Sequence, residues 1–331
     1  LRVSYYTYAG EVQSVRGVSF HVKKGETLAI VGESGCGKSV TAKSIMRLIA
    51  DPGKIKDGSS IVFDGRDVLA MRKRELRSYR GDDCAMIFQD ALTSLDPTMK
   101  VGKQIAEVLK IHGKANGKRA AAQAVELLRQ VGIPNPERRA QEYPHQFSGG
   151  MRQRAMIATA LACSPKLLIA DEPTTALDVT IQAQIIDLMK QLQQQTGTAI
   201  ILITHDLGVV ADIAQRICVM YSGKIVECGS ARDIFYRPRH PYTLALLSSV
   251  PRLDLKNKQE LVTIDGTPPD LLQPPAGCPF CTRCKYCMPL CRDEMPAETD
   301  FGSGHLAACW LHDARAPSVD APLYDEKETE K

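Results

Sequence analysis

The sequence predicts an α/β protein with a mixed sheet, an inserted block of helices, and a small cysteine-rich extension toward the C-terminal end. Three observations lead to this reading. A glycine-rich loop, Gly32-Glu33-Ser34-Gly35-Cys36-Gly37-Lys38-Ser39, stands between the apolar run Thr27–Val31 and a helical pattern carrying Ile45, Met46, Leu48 and Ile49. A second apolar run, Leu167–Ala170, ends in two carboxylates, Asp171 and Glu172, as a buried parallel strand would. Between them, Val101–His112, Lys118–Val131 and Met151–Ala162 repeat their apolar residues at the helical period, with Gly132 and Pro134 as stops.

Each element carries its own justification. Val18–Val22 and Glu26–Val31 flank Lys23-Lys24-Gly25, so two strands joined by a turn are expected, with Tyr5, Tyr6 and Tyr8 ahead of them. Glycines at 32, 35 and 37 admit backbone angles closed to residues with a Cβ, so successive amides turn inward as a donor nest for phosphate oxygens. The helix that follows adds the positive end of its dipole. Lys38 supplies a mobile charge for the β and γ phosphates of a nucleotide, and the Ser39 hydroxyl is placed for Mg2+. Ligands of parallel sheets bind beyond the C-terminal strand ends, which puts Asp171 and Glu172 beside this loop. Asp171 then holds Mg2+ through its water shell, and Glu172 polarises the water that attacks the γ phosphate. Gln89 closes the apolar segment Cys84–Phe88 and is expected to reach the metal or that water. His205 ends Ile200–Thr204 and is expected to hold Glu172 and the water in line. Alone, the acidic pair reads as a solvated strand cap and His205 as a surface histidine; the phosphate loop changes both readings.

Phe147-Ser148-Gly149-Gly150-Met151 is a second anion device, since a serine and two glycines opening a helix present free amides and a hydroxyl. An N-cap role for Ser148 is compatible with it. With Thr175-Ala176-Leu177-Asp178 after the acidic pair, the whole set resembles the ABC ATPase family residue for residue. In that family two cassettes face head to tail, and each ATP lies between one subunit's phosphate loop and the other's Ser-Gly-Gly segment. The resemblance implies ATP and Mg2+ as cofactors, with ATP on Gly32, Ser34, Gly35, Cys36, Gly37, Lys38, Ser39 and Val40. It implies that Ser148, Gly149 and Gly150 touch a nucleotide held by a partner, that Asp178 is also nucleotide-binding, and that Mg2+ meets Ser39, Gln89 and Asp171. Adenine is expected to stack on an aromatic near the N-terminal end, and spacing selects Tyr5; the equal alternative makes these tyrosines amphipathic strand positions. Val40 stands where many members have threonine.

A narrower resemblance lies in Tyr143–Arg154, Ala170–Gln184, His240-Pro241-Tyr242-Thr243 and Gly266–Cys291, which are similar to ATPase subunits of dipeptide/oligopeptide importers. It spans residues 1–312. Phe147 replaces the usual leucine, Asp96 an asparagine, and Ala91 a proline, leaving the coupling loop less rigid. The resemblance implies ATP-driven uptake of di- or oligopeptides, or of another solute such as a metal chelate. Its partners are a second ATPase subunit, expected to be a paralogue, two integral membrane permease subunits and an extracytoplasmic peptide-binding protein. The chain would sit peripherally on the cytoplasmic face of the inner membrane. The alternative, a soluble ABC ATPase acting on nucleic acid or ribosomes, usually has two cassettes per chain and long basic inserts. Here 42 basic residues nearly balance 38 acidic ones, so there is no nucleic-acid footprint. No stretch approaches the ~20 apolar residues of a membrane helix, and no signal peptide is expected. The abrupt start at Leu1 suggests a few residues upstream. The membrane pathway is therefore expected in other subunits, with Gln89–Gly102 as the surface that meets them.

Eleven cysteines are present, six of them at 278, 281, 284, 287, 291 and 309. Without a secretory signal this density points to metal rather than disulfides, because neighbouring thiolates repel unless a cation compensates them. Cys281, Cys284, Cys287 and Cys291 spell the ferredoxin run C-x2-C-x2-C-x3-C, with Arg292 where that run has proline. The importer resemblance instead implies Cys278, Cys284, Cys291 and Cys309 as ligands of a 4Fe-4S cluster, leaving Cys281 and Cys287 as further thiols. Zinc is the rival metal. Cys84, Cys163 and Cys218 lie on apolar segments and read as core filler. At about 150 residues per domain, 331 residues suggest two domains. These are a cassette at 1–236, with a helical lobe at about 92–164, and a metal-tied extension at 237–313. A flexible tail at 314–331 follows.

Overall fold

The computed structural model describes residues 1–90, 94–175, 177–249 and 264–317. Ala91, the start of the lobe at 92, Ala176 and the tail beyond 317 lie outside the described residues.

In chain order the strands are β1 (Arg2–Thr7), β2 (Gly10–Arg16), β3 (Thr27–Val31), β4 (Gly53–Ile55), β5 (Val62–Phe63), β6 (Arg66–Asp67) and β7 (Cys84–Ile87). They continue with β8 (Leu167–Asp171), β9 (Ala199–Thr204), β10 (Arg216–Tyr221), β11 (Lys224–Ser230), β12 (Thr299–Asp300) and β13 (Leu306–Ala307). The main sheet runs β12-β13-β11-β10-β3-β9-β8-β7. From β10 to β7 neighbours are parallel; β11, β13 and β12 add antiparallel pairs, which makes the sheet mixed. A smaller sheet, β2-β1-β4, stands beside it.

Strands covered on both faces read as unbroken apolar runs, and β3, β8 and β9 are buried throughout. Alternate residues serve different cores. Ile169, Ile201 and Ile203 join Ala42 and Ile45 from the helix Lys38–Ile45, together with Val3 and Val15 of the smaller sheet. Leu168, Ala170 and Leu202 join Ile105, Leu128 and Ile157 from helices Val101–Ile111, Gly117–Gln130 and Gly149–Leu161. Those helices start and stop within two residues of the bounds read from apolar spacing.

One expectation near the N-terminal end needs correction. Val18–Val22 is not a strand: Phe20 and Val22 pack against the core, but the backbone joins no ladder after β2 ends at Arg16. Apolar alternation reports which side chains are buried, and here that burial comes without a pairing partner. Tyr5 and Tyr6 precede those segments and are strand positions, as the alternative reading has them, within β1, which pairs with β2 as a hairpin.

The sheet crosses the position-236 boundary. β13 pairs with β11 through Glu227↔Ala307 and Cys228↔Leu306, so the extension contributes two strands to the cassette's sheet. The buried Glu227 carboxylate anchors the crossing, accepting from the amides of Arg239 (2.7 Å) and His240 (2.9 Å) and pairing with His305 Nε2 (2.8 Å). Aromatic packing adds to it, with Tyr221, Tyr242 and Phe280 at ring-centroid distances of 4.5 and 5.3 Å.

Candidate active site

The phosphate loop follows β3 and closes on the helix Lys38–Ile45. Glycine is obligatory at its two ends. A Cβ on Gly32 would lie 2.1 Å from the Met220 carbonyl oxygen, and one on Gly37 2.3 Å from that of Ser14, both at positive φ. Lys38 is buried with its ammonium on the loop's own backbone, donating to the carbonyls of Gly32 (2.7 Å) and Glu33 (2.9 Å). Cys36 is buried beside it, and burial raises its thiol pKa. Val40 is half-buried against the core.

Strand order brings the chemistry together. β9 lies between β3 and β8, and β7 lies beyond β8, so the loop, His205, the Asp171-Glu172 pair and Gln89 leave four adjacent parallel strands at the same edge. Ser39 Oγ donates to Asp171 Oδ1 at 2.8 Å. Burial raises the Asp171 carboxyl pKa; the Ser39 hydrogen bond and the charges of Lys43 and Lys38 pull it back. Such a hydroxyl–carboxylate pair is the donor set a Mg2+ shell needs.

Glu172 sits in the left-handed region at φ 47, with its amide donating to the Ile203 carbonyl of β9 at 2.8 Å. That turn is sterically strained for a glutamate, and the surrounding contacts hold it. Its carboxylate accepts from Gln89 Nε2 (2.9 Å) and Thr175 Oγ1 (3.0 Å), and His205 Nδ1 stands 3.4 Å away. Its side chain is 14% exposed, whereas that of His205 is 63% exposed. Thr175 escaped the sequence reading as a partner, although its spacing three residues after Glu172 within one turn was the available signal. Tyr242 escaped too: its hydroxyl accepts from the Glu33 amide at 2.9 Å, a contact between residues 209 positions apart with no local signature.

Other predicted residues lie apart from this cluster. Ser148 caps the helix Gly149–Leu161, accepting from the Met151 amide at 3.3 Å. Ser148 and Gly149 are exposed, and Gly150 is packed so closely on Ile181 that a Cβ would come 2.9 Å from its methyl group. Asp178 caps the helix Val179–Thr196 through the Ile181 amide at 2.9 Å. Tyr5 is half-buried against the core with its ring over Gly53; Tyr6 is more exposed, with the Lys54 ammonium above its ring.

Models of two families match the chain: ABC transporter at residues 15–175, and the oligopeptide/dipeptide transporter C-terminal region at residues 226–291. The dipeptide transport ATP-binding protein DppD of Bacillus subtilis is 56% identical over 317 residues, covering 96% of this chain and 94% of that protein. The chain belongs to the ABC transporter ATPases. Within them it is DppD/OppD-like. The oligopeptide transport ATP-binding protein OppD of Salmonella typhimurium is 52% identical over 310 residues, 94% of this chain and 91% of that protein. Among solved structures, the dimeric ABC cassette MJ0796 bound to ADP and Pi aligns with a TM-score of 0.63 at 27% identity, covering 70% of this chain and 97% of that one. ABC ATPases bind ATP with Mg2+, and the edge formed by β3, β9, β8 and β7 is where this ABC ATPase gathers its ionisable groups.

The cysteine-rich part of this ABC ATPase gathers its thiols without forming a coordination sphere. Cys278, Cys281, Cys284, Cys291 and Cys309 line one cavity of about 10 Å³ with His240, Phe280 and Trp310. Cys287 does not line it, so the ferredoxin-like run is split. Burial pushes Cys278 and Cys309 up to about 12 and Cys284 to about 11, and the neighbouring thiols add to each rise. Among the described residues no group of three or more His, Cys, Asp or Glu is arranged to hold a metal ion. The fit to a metal centre is therefore one of donor chemistry alone, five soft sulfurs around one cavity.

Proposed function

We propose that this ABC ATPase powers uptake of di- or oligopeptides across the cytoplasmic membrane from its cytoplasmic face. The convergence of Ser39, Asp171, Glu172, Gln89 and His205 at adjacent strand ends carries the reading of the site. The names of the DppD and OppD relatives support the substrate class. On binding ATP, Lys38 exchanges the loop carbonyls for the β and γ phosphates, and the amides from Gly32, Ser34, Gly35, Cys36, Gly37, Ser39 and Val40 surround them. Ser39, Asp171 and Gln89 would hold Mg2+, which would neutralise phosphate charge. Glu172 polarises the attacking water, held in line by His205 and Gln89, and Tyr5 stacks on adenine.

Ser148, Gly149, Gly150 and Asp178 complete the site of a second ATPase subunit facing head to tail, which we take to be a paralogue. The exposure of Ser148 and Gly149 on the chain's own surface supports this, as does the dimeric form of MJ0796. The helices between Val101 and Leu161 then act as the lobe that meets two membrane permease subunits, with the stretch 89–102 at the contact and an extracytoplasmic peptide-binding protein delivering substrate. In the extension, Cys278, Cys284, Cys291 and Cys309 are assigned to a 4Fe-4S cluster, with zinc as the rival, in a structural role. Such a centre would cross-link the segments that carry these four cysteines.

Co-purification from detergent extract should bring down integral membrane subunits and a second ATPase, without nucleic acid. In proteoliposomes made from that assembly, labelled dipeptide or oligopeptide should accumulate only with ATP. RNA or DNA in place of membrane subunits, or uptake of a metal chelate but no peptide, would refute the proposal. Iron and sulfide analysis of anaerobically purified protein separates the cluster from zinc.

A further inference from the structure

Glu33, the second residue of the phosphate loop, is gripped by a side chain from the cysteine-rich extension. Arg283 Nη1 donates to Glu33 Oε2 at 2.6 Å and Nη2 to Oε1 at 2.9 Å, a two-pronged ion pair between residues 250 positions apart. The remaining N–H groups are also engaged. Nη1 reaches the Tyr221 hydroxyl at 3.1 Å, Nη2 the Ile264 carbonyl at 3.0 Å, and Nε the Asp265 carbonyl at 2.9 Å. The five donors of the guanidinium thus meet five acceptors, and its side chain is only 4% exposed. A surface ion pair pays entropy to be held together; this one is held already by its surroundings.

The same loop residue is pinned at two further points. Its amide donates to the Tyr242 hydroxyl, and its carbonyl accepts from Lys38. Tyr221 and Tyr242 are the rings that pack on Phe280, so extension and loop share one rigid block. Arg283 itself belongs to the short turn Cys281–Arg283, directly before Cys284.

An uncompensated carboxylate in a loop that wraps phosphate oxygens would repel them, and a free one would let the loop rotate its amides away. We propose that Arg283 is a positioning residue for ATP: from within the cysteine-rich extension it neutralises Glu33 and holds the phosphate loop in its phosphate-accepting shape. The inference rests on the loop being the ATP phosphate cradle, which Lys38→Ala tests separately.

The test is a double-mutant cycle in the full-length chain within its assembly, read as ATP Kd by equilibrium titration together with KM and kcat. Arg283→Met should weaken ATP binding about tenfold or more and raise KM in step, with kcat changing less than about threefold. Glu33→Gln alone should cost less than about threefold, and Arg283→Met with Glu33→Gln should return to within about threefold of the parent, because the stranded charge is gone. Arg283→Lys, which keeps the charge and loses the fork, should fall between. If Arg283→Met does not assemble, Arg283→Lys with and without Glu33→Gln carries the same comparison. A tie that only staples the extension to the cassette predicts otherwise: a lowered thermal midpoint with unchanged Kd, or a double variant as impaired as Arg283→Met. Either result overturns the inference. ATP binding retained by Lys38→Ala overturns the cradle reading, and this inference with it.

Discussion

The nucleotide end of the sheet and the cysteine-rich extension lie in one hydrogen-bonded structure but are held by different physics. β3, β8 and β9 are buried along their whole length, paired on both sides, and covered by cores on both faces. The extension has two-residue strands, short helices and turns, and thiols that are buried or half-buried, and beside the packing of Phe280 on Tyr221 and Tyr242 it is fastened by discrete polar contacts at Glu227 and Arg283. The first region is redundant, since many small apolar contacts share the load; the second depends on a few groups that must all be satisfied. Glu172 and Ser39 accordingly sit where β8 ends and where the helix after β3 begins, and the loop between β3 and that helix is braced from the extension.

The contrast makes ordered predictions. The largest effect belongs to Glu172→Gln, which keeps the shape of the strand end and removes the carboxylate proposed as the base. ATP turnover should fall about 100- to 10,000-fold, with the ATP-loaded assembly accumulating in a closed form detectable by crosslinking at Ser148. Unimpaired turnover would break the assignment of the chemistry to the strand ends. Next comes packing. Ile169→Ala, fully buried in β8, should cost about 2–5 kcal/mol by urea denaturation. Leu306→Ala, half-buried on β13, should cost only about 1 kcal/mol, so equal costs would erase the distinction between the regions.

Acid should act on the extension first. His240 Nδ1 accepts the Tyr242 amide and caps the helix Pro241–Ser248, and burial, aided by the charge of His312, depresses its pKa to about 3. In the unfolded chain the imidazole titrates near the usual ~6.5. Between those values only the unfolded state takes the proton, so the contribution is complete above about 6.5 and is lost as pH falls toward 3. Urea midpoints measured from pH 7 to 4 should decline, and His240→Asn, which keeps a capping acceptor without the titration, should flatten the slope. The smallest effect is expected of Ser230→Ala at the helix Ala231–Tyr236, where loss of the cap to the Asp233 amide should cost about 0.5 kcal/mol.

Legibility in the sequence follows the same divide. The loop at 32–39, the acidic strand end and the three helices were readable because each rests on local rules: glycine geometry, apolar period, helix stops. Val18–Val22 was misread because burial and strand pairing give the same apolar pattern, and only a neighbouring backbone tells them apart. Tyr242 and Arg283 carried no signal of the contacts they make on Glu33, since each depends on where another segment lies, whereas the local spacing of Thr175 to Glu172 was a signal left unread.

Residue chemistry along the chain determined which groups exist to bind phosphate, Mg2+ and water, and which segments had to be buried to hold them. Their meeting point was decided by the tertiary structure alone. Inserting β9 between β3 and β8 places Ser39 2.8 Å from Asp171 and His205 3.4 Å from Glu172. Folding the extension back over the loop places Arg283 on Glu33. Strand order and long-range docking arise from competition among whole buried surfaces, and no local stretch of sequence encodes the outcome of that competition.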